Sequence, residues 1–87
     1  MCLTGENFQQ MELNYQRWEQ KGLPIEEARD CLGHAFSTVY PIAENAARFI
    51  YKHWSESQIE ELGERALRGY RESLGELIRC NDLREPA

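Results

Sequence analysis

Eighty-seven residues, 41% hydrophobic and 29% charged, fit one globular domain, with too little interior for both a core and a deep substrate cavity. A formal net charge of −5 disfavours nucleic acid and anionic membrane surfaces as direct partners, since both need a basic footprint. Cys2, Cys31 and Cys80 are an odd, sparse set and no disulfide framework; with no leader and no run of about 20 apolar residues, the expected setting is a reducing cytoplasm.

Helical spacing dominates the long segments, and strand-like alternation is absent. The first helix is expected from about Glu6 to Lys21, capped by Thr4 or Asn7. Phe8, Met11, Tyr15 and Trp18 fall within an arc of about 80° and mark its core face. Gly22, Leu23 and Pro24 then stop it, because glycine accepts the left-handed cap and proline cannot continue the ladder.

Pro24 suits the first turn of the next helix, and Glu26 and Glu27 suit its positive end. Ala28, Leu32, Ala35, Phe36 and Val39 share one face. Ile42, Ala46 and Ile50 stay in phase with them when the count runs straight through Pro41. The spacing therefore predicts one long middle helix, about Ile25 to His53, kinked near Pro41, with a break at Pro41 as the alternative.

The last helix has a strong start: Ser55 as cap, Gln58 three residues on, and Trp54 and Ile59 placed as a hydrophobic staple. Its core stripe is Ile59, Leu62, Ala66, Tyr70, Leu74 and Leu77. Glu61–Arg65, Glu64–Arg68 and Arg68–Glu72 have the spacing of ion pairs on a solvated face. Gly63, Gly69 and Gly75 each cost about 1 kcal/mol in a helix interior. Gly63 lies on the core side, where it could admit a neighbouring helix; Gly75 points outward. The predicted fold is all-α, a compact antiparallel three-helix bundle, or four helices if Pro41 breaks the middle one; residues 1–5 and 81–87 are expected to fray.

Little in the chain looks like chemistry. Cys31 and His34 form one close pair, but zinc wants four ligands and no second pair accompanies them. A Cys–His nucleophile also needs a thiolate-stabilising environment and an oxyanion hole, which a helix interior does not supply. Packing of Cys31 at the core margin, with His34 in water, is the simpler expectation. The carboxylate clusters Glu26, Glu27, Asp30 and Glu60, Glu61, Glu64 sit in first helical turns, where negative charge offsets the helix dipole. His53 falls on an apolar side; a buried neutral histidine is the expectation, with a pH-responsive contact as the sharper alternative. No metal or cofactor is expected.

The most informative feature is surplus apolar surface. Phe36, Tyr40, Ala47, Tyr51 and Trp54 add a second stripe to the middle segment, and the two stripes span roughly 200°. Either the segment is buried on two sides, or the aromatics anchor a partner. Phe36, Tyr40, Tyr51 and Trp54, with Leu13 off the first helix's main stripe, are the candidate partner-binding residues. The expected function is a non-enzymatic acidic module that masks a site on a larger protein with a basic surface, as inhibitor or adaptor. Phage or mobile-element antagonists of bacterial nucleic-acid machines are the class envisaged, on size and acidity alone. The alternatives are a structural homo-oligomer using the same stripe and, more weakly, a metal- or thiol-dependent protein using Cys31 and His34.

Overall fold

A computed structural model describes residues 5–35 and 40–81, with side chains for residues 9–35 and 40–79. Among these residues the chain forms five helices and no strand: α1 (Gly5–Lys21), α2 (Ile25–Gly33), α3 (Tyr40–His53), α4 (Glu56–Glu60) and α5 (Glu64–Asn81). The all-α bundle expected from the spacing is the observed fold.

α1 keeps its predicted face. Met11 and Trp18 are buried and Tyr15 half-buried, while the side chain of Phe8 lies outside the described set. Gly22 ends the helix with φ of 88°, and its N–H donates to the Trp18 carbonyl at 2.6 Å. That left-handed conformation is open to glycine at little steric cost. Pro24 then stands just before α2, extended at φ −64° and ψ 145°.

The single long middle helix is not formed. α2 stops at Gly33, and the His34 N–H closes a tight turn on the Cys31 carbonyl at 3.4 Å. α3 begins at Tyr40, which puts Pro41 in a first turn, where its missing N–H removes no helical bond. The in-phase count across Pro41 misled because it rested on Ile42. That side chain is only half-buried; the core face of α3 is Ala43, Ala46, Ala47, Phe49 and Ile50. Three of these five are alanines, whose small side chains contribute little to a hydrophobic period.

The last segment also breaks, at Gly63. Ser55 and Gln58 form the predicted capping box, with Ser55 N–H to Gln58 Oε1 at 2.9 Å and Gln58 N–H to Ser55 Oγ at 3.4 Å. α4 is only a turn and a half, because Gly63 takes φ of 95° and redirects the chain into α5. The freed carbonyls at the end of α4 find a partner on another helix. Arg29 donates from Nε to the Leu62 carbonyl at 2.9 Å and from Nη2 to the Glu61 carbonyl at 2.6 Å. This satisfies groups that a helix end otherwise leaves to water.

The close approach expected at Gly63 occurs at Gly69. A Cβ there would fall on the carbonyl oxygen of Leu32, whereas nothing lies within 4 Å of a Cβ at Gly63 or Gly75. α2 and α5 therefore pack backbone to backbone. The expected ion pairs along the last segment are not formed among the described residues: Glu61 and Arg65 stand on either side of the Gly63 turn, and the other two pairs stay apart.

α3 is the central helix, in contact with α1, α2 and α5. Phe49 meets Tyr15 and Trp18 of α1 edge-on, with ring centroids 5.3 and 5.6 Å away. Asn45, fully buried, donates Nδ2 to the Met11 carbonyl at 2.5 Å. On the other side Tyr51 lies close enough to Tyr70 to act on its ionisation, and Glu44 acts likewise with Glu76. As residue numbers rise along α3 they fall along α5, so the two helices run antiparallel.

Candidate protein-binding surface

Of the five candidate partner-binding residues, Phe36 lies outside the described residues. Trp54 precedes the Ser55 cap, is half-buried and packs on the core together with Ile59, the other half of the predicted staple. Tyr40 is half-buried at the start of α3 and hydrogen-bonds the Glu44 carboxylate one turn on. Tyr51 and Leu13 are the exposed large hydrophobics, 46% and 60% accessible.

These two do not share a face. At 100° per residue Leu13 stands roughly opposite the Met11, Tyr15 and Trp18 stripe, on the outer side of α1. Tyr51 stands about 160° from Phe49, on the flank of α3 turned away from α1 and toward Tyr70. Much of the surplus apolar circumference is thus explained inside the fold: Phe49 faces α1 while the alanine stripe and Ile50 pack inward. What remains outside is Tyr51 and its neighbourhood.

That neighbourhood is the seam between α3 and α5. On α5, Leu67, Leu74 and Ile78 recur at heptad-like spacing beside Tyr70, and all three are half-buried. Tyr70 itself is buried, and burial raises its hydroxyl pKa, with Tyr51 adding to the rise. Glu44, half-buried on the α3 side, has its carboxyl pushed above the ordinary carboxylate range, chiefly by burial. The Tyr40 hydroxyl and Arg48 pull it down, and Glu76 pushes it up. Arg48 is engaged elsewhere: it lies 5.0 Å over the Tyr15 ring and 3.6 Å from Glu12. The sequence marked Tyr51 for a partner and placed Tyr70 and Leu74 in the core stripe, where Tyr70 is buried and Leu74 half-buried against the core; Leu67 and Ile78 were not singled out.

Cys31 and His34 part company. Cys31 is half-buried against the core, and its thiol is pushed up to about 11, by burial first and then by Glu27 and Asp30. A thiol so placed stays protonated at neutral pH, the reverse of an activated nucleophile. His34 is exposed, with Nε2 3.9 Å from Asp30. His53 is exposed rather than buried, which overturns the expectation of a buried imidazole. Its ring lies 4.5 Å from Phe49, and Nε2 lies 3.7 Å from Glu19. The helix runs past the core before it ends, so a position on the apolar side of the wheel emerges at the surface.

A shallow groove of about 430 Å³ runs between α2 and the α4–α5 corner, lined by Arg29, Asp30, His34, Glu64 and Arg65 among others. Arg29 is committed there to the carbonyls of α4, and both charge signs alternate along the walls. Among the described residues no three His, Cys, Asp or Glu side chains converge to hold a metal, and no helix is long and apolar enough to cross a membrane. No family model matches the chain, and no characterised protein or solved structure is detectably similar to it.

Proposed function

We propose that the protein is a non-enzymatic protein-binding module that docks through the α3–α5 seam. The observation that carries this reading is Tyr51: a large ring, 46% exposed, on the flank of α3 turned toward Tyr70 of α5. Aromatic rings with one face on protein and one in water are typical anchors of such surfaces. The polar side chains most tightly held here have structural partners: Arg29 on α4, Asn45 on α1, and Glu27 on Arg17 and Trp18 at 2.7 and 3.3 Å. As inhibitor or adaptor, the module works by covering a site on another protein in a reducing, cytoplasmic setting. A net charge of −5 favours a basic partner surface. Leu13, on the far side of α1, is outside the docking surface.

Affinity capture with immobilised wild-type, Tyr51→Ala and Leu13→Ala chains tests this. Loss of a specific partner with Tyr51→Ala but not with Leu13→Ala is expected. Equal capture by all three variants would remove Tyr51 from the binding surface.

A further inference from the structure

We infer that His53 is a proton-operated clasp: its imidazolium holds the last turn of α1 against the last turn of α3, and the hold slackens when the ring loses its proton. The placement comes from how the two helices run. Met11 meets Asn45, Glu12 meets Arg48, Tyr15 and Trp18 meet Phe49, and Glu19 meets His53. Residue numbers rise together along this series, so α1 and α3 run in the same direction and their carboxyl-terminal ends lie side by side. Each end carries the partial negative charge of its helix, and Glu19, in the last turn of α1, adds a full one.

The parallel arrangement thus concentrates negative charge where His53 ends α3. Its Nε2 lies 3.7 Å from the Glu19 carboxylate, and its ring lies 4.5 Å from Phe49 and 6.2 Å from Tyr15. An imidazolium there is favoured by the carboxylate, by both helix ends and by the Phe49 ring beside it. A neutral imidazole keeps the ring packing and loses the rest. The titratable groups that α1 turns toward His53 are Glu19 and Tyr15, and burial pushes the Tyr15 hydroxyl above its ordinary range, so it stays neutral. No second carboxylate lies within 4.0 Å of His53 among the described residues. Lys21 and Lys52 belong to the same last turns, and lysines do not change charge near neutral pH. The α1–α3 contact therefore has one constant ion pair, Glu12–Arg48, and one, Glu19–His53, that depends on a proton. That contribution is present at acid pH and is lost as pH rises through the histidine range. A slackened last turn loosens the cover over two buried rings, Trp18 and Phe49.

Amide hydrogen exchange of the full chain, followed by NMR and corrected for intrinsic rates, reads the hold directly. It is compared at about pH 5.5 and about pH 8, on either side of the histidine range. The Gly22 N–H, which donates to the Trp18 carbonyl, and the last-turn amides of α1 should lose about threefold in protection between the two, the size of an exposed charge pair. His53→Gln should abolish that difference and Glu19→Gln should shrink it. His53→Lys, cationic at both values, should keep the higher protection at both. Equal protection at the two pH values in the wild-type chain, or the same loss in His53→Gln as in wild type, overturns the inference. Both positions are exposed, so the variants should fold. If circular dichroism shows His53→Gln unfolded, Glu19→Gln carries the test, and an undiminished loss in it counts against the clasp.

Discussion

Gly69 and Gly75 belong to the same helix, yet alanine acts in opposite directions at the two. Intrinsic propensity favours alanine by about 1 kcal/mol at each. At Gly69 the added methyl meets the Leu32 carbonyl, so backbone must move, and overpacking of this kind costs typically 1–3 kcal/mol or more. The steric cost exceeds the propensity gain, and urea unfolding of Gly69→Ala should show net destabilisation. At Gly75 nothing lies within 4 Å, and alanine should stabilise by roughly 0.5–1 kcal/mol. Composition alone showed glycines in a helix; which of them met a neighbouring backbone depended on the register of α2 against α5, and no local pattern encodes that. Cys31 gives a second test at this scale. With its thiol near 11 against an ordinary 9.0, about a hundredfold less thiolate is present at neutral pH than for a free cysteine. In a Cys2→Ser, Cys80→Ser background, alkylation of Cys31 should be correspondingly slow and should keep accelerating up to about pH 11. Its packing role was readable from the wheel; the extent of burial was not.

The helices themselves were legible where capping chemistry is local. Gly22 and the Ser55–Gln58 box sit where the sequence put them, because each is decided by residues within one turn. The break at Gly63 was not legible, because it depends on a distant partner. Gly63 can turn the chain since Arg29, more than thirty residues earlier, takes the carbonyls of Glu61 and Leu62. Arg29→Met keeps the aliphatic stem but leaves those carbonyls to water, and should cost about 1–3 kcal/mol. Amide exchange should quicken in α4 and at the start of α5 before it does in α3. A similar logic holds at the α1–α3 contact. Asn45 is fully buried, donates to Met11, and leaves its Oδ1 without a protein partner. Asn45→Asp removes the donor and puts a carboxyl at a fully buried position, so the free energy of unfolding in urea should fall by about 3 kcal/mol or more at neutral pH.

At the scale of the whole molecule, one acid links pH to both stability and surface. Glu44 has its folded-state pKa raised by burial, so the folded chain binds a proton more tightly there than the unfolded chain does. That contribution to stability is fully present below the unfolded carboxyl pKa and is lost as pH rises through the folded one. At neutral pH the ionised carboxylate is a net cost to the monomer. Glu44→Gln, which keeps an acceptor for the Tyr40 hydroxyl, should therefore raise the melting temperature of dilute protein at pH 7. The difference should shrink to nothing on acidification through pH 4. A polar group held at a stability cost on the same flank of α3 as the exposed Tyr51 is understandable if the surface is shaped for a partner. The surplus apolar circumference that pointed to such a surface was visible in the sequence. Its division between the interior and the seam was not, because it follows from α3 lying between α1 and α5.

The most direct measurement is equilibrium urea unfolding of Tyr51→Ala beside Ile50→Ala, its buried neighbour. If Tyr51 belongs to a docking surface, its truncation should change stability by no more than about 0.5 kcal/mol, against about 2–5 kcal/mol for Ile50→Ala. Comparable losses for the two variants would place Tyr51 in the core and contradict the account.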